Sequence, residues 1–330
     1  MPFRSIQFIG TQRSGSNLLR LILNQHDLIS APHPPHLLRT FIPLLQHYRL
    51  AYGNTLERLV EDVCRWVELN PVPWTKIVLD REKILARSAS VCDIYEQIYL
   101  HKAEADKAEI WCCKSTFNIN YVDLLEENIK PFYIHLYRDG RDVAASFKKV
   151  IVGHKHVYHL AHQWRKEQLM SLGFLKGIEE ERKIHVSYES LLERPDEIVG
   201  AICSKLGVEY SSSMLRYYNS EESHHTAESG KMWEDVVKPI IKNNRGKYHN
   251  ELSEEELGIF EKVAGDVLEK FGYTPGYHKE NNIILDVEQF NLLNAKWINE
   301  RRKMANSQEL EKRMKQEFLL KEIKNRLGIE

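Results

Sequence analysis

A strand, a small polar turn and a helix follow one another near the start of the sequence, and this order constrains the fold most. Residues 6–9 form a short β-type run, residues 10–16 are small and polar, and apolar residues then recur at helical spacing through Leu23. Three further strands are expected, at 109–113, 131–137 and 183–188. Strands that alternate with helices favour a parallel sheet with helices on both faces. We therefore predict an α/β fold with a central parallel β-sheet flanked by helices.

Composition indicates an ordinary globular protein and argues against nucleic-acid binding. The chain has 330 residues, of which 42% are hydrophobic and 28% charged, so it can bury a core without disulfides or a structural metal. Its 46 Lys and Arg residues nearly balance 47 Asp and Glu residues. Such a balance gives no general attraction to nucleic acid, so we expect no nucleic-acid partner and only a local anion site.

The sequence also bears on location. No apolar run approaches the roughly 20 residues that a membrane helix needs, and no signal-peptide core precedes the first strand, so we expect no membrane span. The five cysteines form no C-x-x-C pattern. Reduced, buried thiols in a cytoplasmic protein are the expectation.

Helical apolar spacing extends over much of the remaining chain. The expected helices cover about 37–52, 55–69, 80–107, 143–150 and 157–173. The pattern of residues along the chain changes after the Pro-Gly pair at 275–276. We therefore predict one domain over 1–278 and a helical C-terminal extension over 279–330. Residues 301–330 are expected to form an amphipathic helix with a net charge of +4. This helix either packs on its own domain or forms a homodimer contact.

The turn after the first strand has the spacing of a phosphate-binding loop. Gly10 and Gly15 frame it as G-x-x-x-x-G, a pattern in which inward-facing N–H groups and a helix N-terminus favour a multi-oxygen anion. The lysine and the metal-binding hydroxyl of nucleotide hydrolases are replaced by Ser16 and Asn17, and Arg13 lies inside the loop. The loop therefore suits a phosphate without Mg²⁺, and we expect no metal site.

A second cationic segment follows the strand expected at 131–137. Arg138 comes at the end of that strand, and Ser146 follows eight residues later, early in the next helix. Both side chains can converge on one anion at the carboxyl edge of a parallel sheet.

These two segments resemble the sulfotransferases that use 3′-phosphoadenosine 5′-phosphosulfate (PAPS). Residues 12–19 resemble the family's 5′-phosphosulfate loop, and residues 137–147 resemble its 3′-phosphate motif, with Gly140 at the usual proline position. The resemblance covers about 1–278 and implies a fold like that of P-loop-containing nucleotide hydrolases. It implies that PAPS is the co-substrate, bound by Gln12, Arg13, Ser14, Gly15, Ser16, Asn17, Arg138, Ser146, Tyr188, Lys238, Asn244, Arg245 and Lys247.

Sulfuryl transfer also needs a base for the acceptor hydroxyl. Relatives often have a glutamate after the first helix, but here the corresponding loop, 31–36, has only prolines, an alanine, His33 and His36. We therefore expect His33 or His36 to be the catalytic base. Lys114 resembles the family lysine that stabilises the transferring group. The histidines at 154, 156, 159 and 162 suggest the lining of an acceptor site rather than a metal site.

The sequence thus predicts a metal-independent sulfotransferase that acts on a small-molecule, carbohydrate or peptide hydroxyl. Two other classes remain open. One is a P-loop kinase or nucleotide hydrolase, which Ser16 and Asn17 disfavour. The other is a non-catalytic sensor of nucleotide phosphates, which would keep Arg13, Arg138 and Ser146 but need no base.

Overall fold

A computed structural model describes residues 4–51, 55–277, 283–305 and 307–329. The predicted domain boundary at residue 278 lies outside these described residues, so the division into two units stays a prediction.

A parallel sheet of five strands forms the centre of the described structure, as predicted. The strands are β1 (Ser5–Gly10), β2 (Ile29–Ser30), β3 (Ile110–Cys113), β4 (Phe132–Tyr137) and β5 (Lys183–Ser187). Their order across the sheet is β2-β3-β1-β4-β5, and all four pairings are parallel. Strand β2 was not predicted, because its two residues are too few to produce an apolar pattern.

Helices cover both faces of the sheet. They are α1 (Ser16–Leu23), α2 (Leu37–Phe41), α3 (Leu45–Ala51), α4 (Thr55–Glu68), α5 (Arg81–Ala86), α6 (Val91–Asp106), α7 (Val122–Asn128), α8 (Gly140–Lys149), α9 (Val157–Leu175), α10 (Tyr188–Glu193), α11 (Pro195–Leu206), α12 (Glu221–Glu228), α13 (Tyr248–Glu251), α14 (Glu254–Lys270), α15 (Val287–Lys303) and α16 (Ser307–Arg326). Short 3-10 segments lie at Ile42–Leu44, Thr116–Tyr121, Glu180–Arg182, Ser212–Asn219 and Lys231–Val237.

Alternate residues of the strands supply two different cores. On β3, Ile110 and Cys112 pack with helices α1 and α11, whereas Trp111 and Cys113 pack with α4 and α6. This alternation follows from the two-residue period of a strand. A separate cluster joins α8, α9, α14 and α15. All five cysteines are free and buried.

Two expected helices differ in detail. The segment expected to be helical over 37–52 is broken by a 3-10 turn that contains Pro43, whose ring and missing N–H interrupt the α-helical bonding. The tail expected as one amphipathic helix over 301–330 forms two helices, α15 and α16, that meet near residue 304.

Helix α16 packs on its own chain. Leu319, Ile323 and Leu327, spaced four residues apart, are buried in the core around α4 and α6. Phe318 lies off this face and is 62% exposed. Trp66 of α4 contributes its carbonyl, which accepts a 2.9 Å hydrogen bond from Gln316. Among the described residues, no helix is both long and apolar enough to cross a bilayer.

Candidate functional site

The site candidates lie where the carboxyl ends of β1, β3 and β4 meet. The central strand β1 pairs with β3 on one side and β4 on the other. After β1 the chain continues to β2, at one edge of the sheet, and after β3 it crosses β1 to form β4 on the other side. Open parallel sheets bind ligands where the strand order reverses in this way. The loops that follow the three strands begin at Thr11, Lys114 and Arg138.

The phosphate loop is held tightly by its two glycines. Gly10 has a φ of 118°, and a Cβ there would lie 2.3 Å from the carbonyl oxygen of Leu136. Gly15 has a φ of 90°, and a Cβ there would lie 2.3 Å from the ring of Tyr188. Side chains are therefore excluded at both positions, and the backbone turns directly into the N-terminus of α1.

Arg13 and Arg138 bring the two predicted phosphate motifs together. Arg13 Nε donates a 3.0 Å hydrogen bond to Ser146 Oγ, and Arg138 Nη1 donates a 3.3 Å bond to the carbonyl of Arg13. Burial, followed by the nearby charge of Arg138, lowers the pKa of Arg13 to about 10. Two guanidinium groups this close repel each other, and a bound anion would relieve that repulsion.

Residues 244–248 hold Arg138 from the other side. Arg138 Nη2 donates to Asp142 Oδ2 at 3.2 Å and to the carbonyl of Asn244 at 3.0 Å. Its guanidinium also lies over the ring of Tyr188, 4.5 Å from the ring centre, and Asn244 Nδ2 donates to the Tyr188 hydroxyl at 2.8 Å. The predicted residues Tyr188 and Asn244 therefore belong to the same cluster as the loop.

Several polar atoms of this cluster have no partner among the described residues. They are buried, and they include Ser14 Oγ, Asn17 Nδ2 and Arg138 Nε. Buried polar groups are normally hydrogen-bonded, so a cluster of buried donors without protein partners indicates a binding site. Hydroxyl, amide and guanidinium donors beside a helix N-terminus suit phosphate oxygens. The residues therefore fit the phosphates of PAPS.

The proline loop is fixed by its backbone. The carbonyl of His33 accepts hydrogen bonds from Asn70 Nδ2 at 3.0 Å and from Trp74 Nε1 at 2.6 Å, and the carbonyl of Pro35 accepts one from Trp66 Nε1 at 2.7 Å. His36, with a φ of 55°, precedes α2. The loop thus presents the two histidine rings from a rigid support.

The two histidine rings differ in their access. His33 is 5% exposed, and both of its ring nitrogens are buried without a hydrogen-bond partner among the described residues. His36 is more open, and its Nδ1 lies 2.8 Å from Ser115 Oγ. Its Nε2 has no hydrogen-bond partner within the described part of the chain and is the ring nitrogen that a ligand can reach.

Positive charge surrounds both rings. Burial, then Lys114 and Arg20, hold the pKa of His33 well below its usual value. Burial, then Lys114, Arg39 and Arg313, lower the pKa of His36 to about 3. The pKa of Lys114 is itself well below its usual value, because the lysine is buried near Arg20 and Arg13. Both rings are therefore neutral near pH 7, the form that accepts a proton.

Sequence reasoning missed three residues of this region. Arg20 is fully buried and donates to the carbonyl of Ala31 at 2.9 Å and to Glu222 at 2.6 Å, so it fixes the entry to the proline loop. Glu167 of α9 lies near Thr11 and Arg39, and burial raises its pKa to about 7. Arg313 of α16 lies over Trp233. The positions of these residues on their helices do not indicate a role in the site, because their partners are distant in sequence.

Five other predicted site residues take no part in the hydrogen bonds described above. Lys238 and Arg245 are exposed and form ion pairs with Asp235 and Glu193, respectively. Lys247 is exposed, and Gln12 and Ser16 lie within the loop and at the start of α1. The cofactor roles of all five stay predictions.

The histidine cluster at 154–162 faces the C-terminal extension. His156 stacks on Phe290 and Trp297 of α15, and its Nδ1 accepts a hydrogen bond from the N–H of Tyr158. His154 lies 3.1 Å from Asn294 of the same helix. The described residues contain no group of three or more His, Cys, Asp or Glu side chains that could hold a metal ion.

Three solved structures resemble this chain to different degrees. The sulfotransferase domain of the Synechococcus PCC 7002 olefin synthase has a similar structure, with a TM-score of 0.54 and 22% identity over 82% of this chain and 94% of that domain. The sulfotransferase domain of the curacin biosynthetic pathway follows, with a TM-score of 0.49 and 19% identity over 84% of this chain and 99% of that one. Retinol dehydratase, solved with androsterone and the inactive cofactor PAP, has a TM-score of 0.37 and 16% identity, and the match covers 82% of each chain.

No curated protein matches the chain by sequence. A family model does match: the model of the sulfotransferase family aligns with residues 6–212, which include the phosphate loop, Lys114, Arg138 and Ser146. This segment is more than half of the chain and includes all or nearly all of each of the five strands. The chain is therefore an enzyme of the sulfotransferase family.

Proposed function

We propose that this enzyme transfers the sulfuryl group of PAPS to a hydroxyl of its acceptor, without a metal ion. One observation supports this proposal most. Arg13, Arg138 and Ser146 converge across the loops after β1 and β4, beside buried donors that have no partner within the described residues. A cofactor with two separate phosphate groups would use both sets of donors.

The residues divide between the two ends of such a cofactor. Arg138 and Ser146 would hold the 3′-phosphate, and Ser14, Gly15 and Asn17 would hold the 5′-phosphate at the start of α1. PAPS, when bound, supplies the sulfuryl group and a phosphate leaving group. Lys114, directly after β3, would place positive charge near the leaving oxygen.

The acceptor proton would pass to a histidine, and the geometry favours His36. A ring whose Nδ1–H donates to Ser115 Oγ carries its free lone pair on Nε2, the reachable nitrogen. Ser115 would then be a positioning residue that selects this tautomer. His33 is more enclosed and would support the loop.

Glu167 is a second candidate for the proton acceptor. Its Oε2 is buried without a hydrogen-bond partner among the described residues, and its pKa of about 7 is suited to proton transfer near neutral pH. The variants His36→Ala and Glu167→Gln separate the two candidates: the one that lowers kcat by about 10²-fold or more at unchanged Kd for PAP holds the base.

Calorimetry tests the cofactor. We expect 3′,5′-adenosine bisphosphate (PAP) to bind the protein and ATP with Mg²⁺ to bind at least about tenfold more weakly, since the loop lacks the lysine and the metal hydroxyl. Tighter binding of ATP with Mg²⁺ would favour a kinase or nucleotide hydrolase instead.

A turnover assay with labelled PAPS then distinguishes an enzyme that uses PAPS from a sensor. The acceptors to screen are small-molecule, carbohydrate and peptide hydroxyls. We also propose a cytoplasmic location, which the five free thiols support. A dimer through the extension has less support, because α16 buries Leu319, Ile323 and Leu327 in its own core.

A further inference from the structure

A row of four rings crosses the candidate site. The ring centre of His33 lies 5.0 Å from that of Trp233 and 6.4 Å from that of His36, and His36 lies 5.0 Å from Phe117. We call Trp233, His33, His36 and Phe117 the ring row. Its members come from three separate segments: the proline loop, the turn after β3 and the 3-10 segment Lys231–Val237.

A guanidinium group lies at each end of the ring row. Arg39 Cζ is 3.7 Å from the ring centre of Phe117, and Arg313 Cζ is 5.8 Å from that of Trp233. The charges of both arginines also reach the His36 ring between them. The ring row thus joins two cations that do not belong to the phosphate motifs.

The donors of Arg313 are poorly satisfied. Its Nε is buried and has no hydrogen-bond partner within the described residues. One terminal nitrogen donates to Glu309 Oε1 at 3.3 Å and contacts Met232 Sδ at 3.9 Å, both long distances. A guanidinium has five N–H groups and normally uses several of them when it is partly buried. Arg313 therefore has donors left for a ligand.

Arg39 adds positive charge at the opposite end. The structure records no hydrogen bond from its guanidinium to any described residue, and the carboxylate whose charge reaches it is that of Glu167. Because the pKa of Glu167 is about 7, this carboxyl neutralises Arg39 only in part near neutral pH. A ligand on the ring row would meet the unused donors of Arg313, which also pairs with Glu309, at one end and the charge of Arg39 at the other.

We propose that Arg313 binds an anionic group of the acceptor, so that the substrate is a hydroxyl compound with a carboxylate, phosphate or sulfate group. Arg39 supports this binding from the far end of the ring row. The proposal rests on the proposed function, in which Arg13, Arg138 and Lys114 serve the cofactor. It assigns a specificity role to α16, a helix beyond the part of the chain that the family model matches.

Inorganic phosphate is the probe for this anion site, because it requires no knowledge of the acceptor. Its binding is measured by calorimetry on the full chain in three states: without nucleotide, saturated with PAP and saturated with PAPS. We expect saturable binding to both nucleotide-loaded states. We expect Arg313→Gln to weaken it by about tenfold or more, Arg313→Lys to retain part of it, and Arg39→Gln to weaken it less.

Arg302→Gln is the matched control, since Arg302 is exposed on α15 and pairs with Glu317, away from the ring row. Thermal unfolding shows whether each variant is folded, and the charge-keeping Arg313→Lys variant separates a lost contact from a lost fold. Equal phosphate binding by Arg313→Gln and the wild type would overturn the proposal, as would no saturable binding in any state.

Two further outcomes distinguish this anion site from the cofactor site. The proposal would be overturned if phosphate bound the PAP-loaded protein but not the PAPS-loaded protein. The cations would then serve the transferred sulfuryl group. Failure of PAP to bind would contradict the proposed function alone, since phosphate binding to the nucleotide-free protein still tests Arg313.

Discussion

At the scale of single residues, the site depends on cations that lack their full set of partners. Arg138 shows this most clearly: two of its nitrogens are bonded to the protein, while Nε is buried and unpaired among the described residues. His36 shows the counterpart, a ring kept neutral by burial and by nearby positive charge. Both features favour a bound anion, whose negative charge would offset the nearby cations and raise the proton affinity of the His36 ring.

Replacing Arg138 tests the first feature. We expect Arg138→Ala to weaken PAP binding by about 1.5–3 kcal/mol, the contribution of charge-assisted hydrogen bonds. Asp142 would still accept hydrogen bonds from the N–H groups of Gly246 and Tyr248, so the variant should fold. Calorimetry gives the Kd, and Arg194→Ala, at an exposed ion pair with Glu197, is the control. An unchanged Kd in folded Arg138→Ala would remove this arginine from the cofactor site.

The low pKa of His36 predicts an unusual pH response. A ring whose pKa is lowered to about 3 stays neutral in the free protein from about pH 8 down to about pH 5, whereas an ordinary histidine gains its proton near pH 6.5. The Cε1 proton resonance of His36, assigned with His36→Ala, should therefore not move over this range. Titration of that resonance near pH 6.5 would contradict the enclosed, cation-lined geometry. Because the folded state binds fewer protons, this ring also contributes to a fall in stability as the pH decreases below about 6.5.

At the scale of elements, the helices that meet the sheet edge define the site. Among them, α16 is the helix whose packing partner could not be predicted from its own sequence. The motifs on α1 and α8 were predictable because each immediately follows its strand. The start of α14 is a similarly local feature, because Ser253 and Glu256 form a capping box from the short S-x-x-E pattern. An amphipathic pattern shows that a face is buried, but not against what, so the sequence allowed either docking of α16 on its own domain or a dimer contact.

The buried face of α16 is directly testable. Ile323 is fully buried against the core around α4 and α6, so Ile323→Ala should lower the free energy of unfolding by about 2–4 kcal/mol. Phe318→Ala, on the same helix but 62% exposed, should change it by less than about 0.5 kcal/mol. Urea unfolding measures both. Equal effects of the two substitutions would mean that α16 packs differently.

At the scale of the whole molecule, anion binding is local rather than general. The net charge is −1, yet the loops after β1, β3 and β4 gather Arg13, Lys114 and Arg138 at one edge of the sheet. This convergence was predictable from the sequence because the carboxyl ends of parallel strands share an edge. The positions of Arg313 and Glu167 were not, since these residues reach the site through tertiary contacts of α16 and α9.

Because protein cations supply the positive charge at this site, we also expect the enzyme to work without metal ions. The loop has Ser16 and Asn17 where a metal-dependent enzyme has lysine and a hydroxyl ligand, so an excess of EDTA should leave the rate of sulfuryl transfer unchanged. Labelled PAPS gives the rate, with added Mg²⁺ as the comparison. A rate lost with EDTA and restored by Mg²⁺ would favour the kinase class.

The position of α16 has a consequence for the order in which the protein folds. Arg65 of α4 pairs with Glu322 of α16 across 257 residues of chain, whereas β1 and α1, which bear the phosphate loop, are adjacent in sequence. Contacts between distant residues form late, because closing long loops costs more entropy than closing short ones. The contacts that join Arg13, Arg138 and Ser146 span at most 133 residues, so they should form before α16 docks. During refolding, affinity for PAP should thus return before Arg313 reaches the end of the ring row.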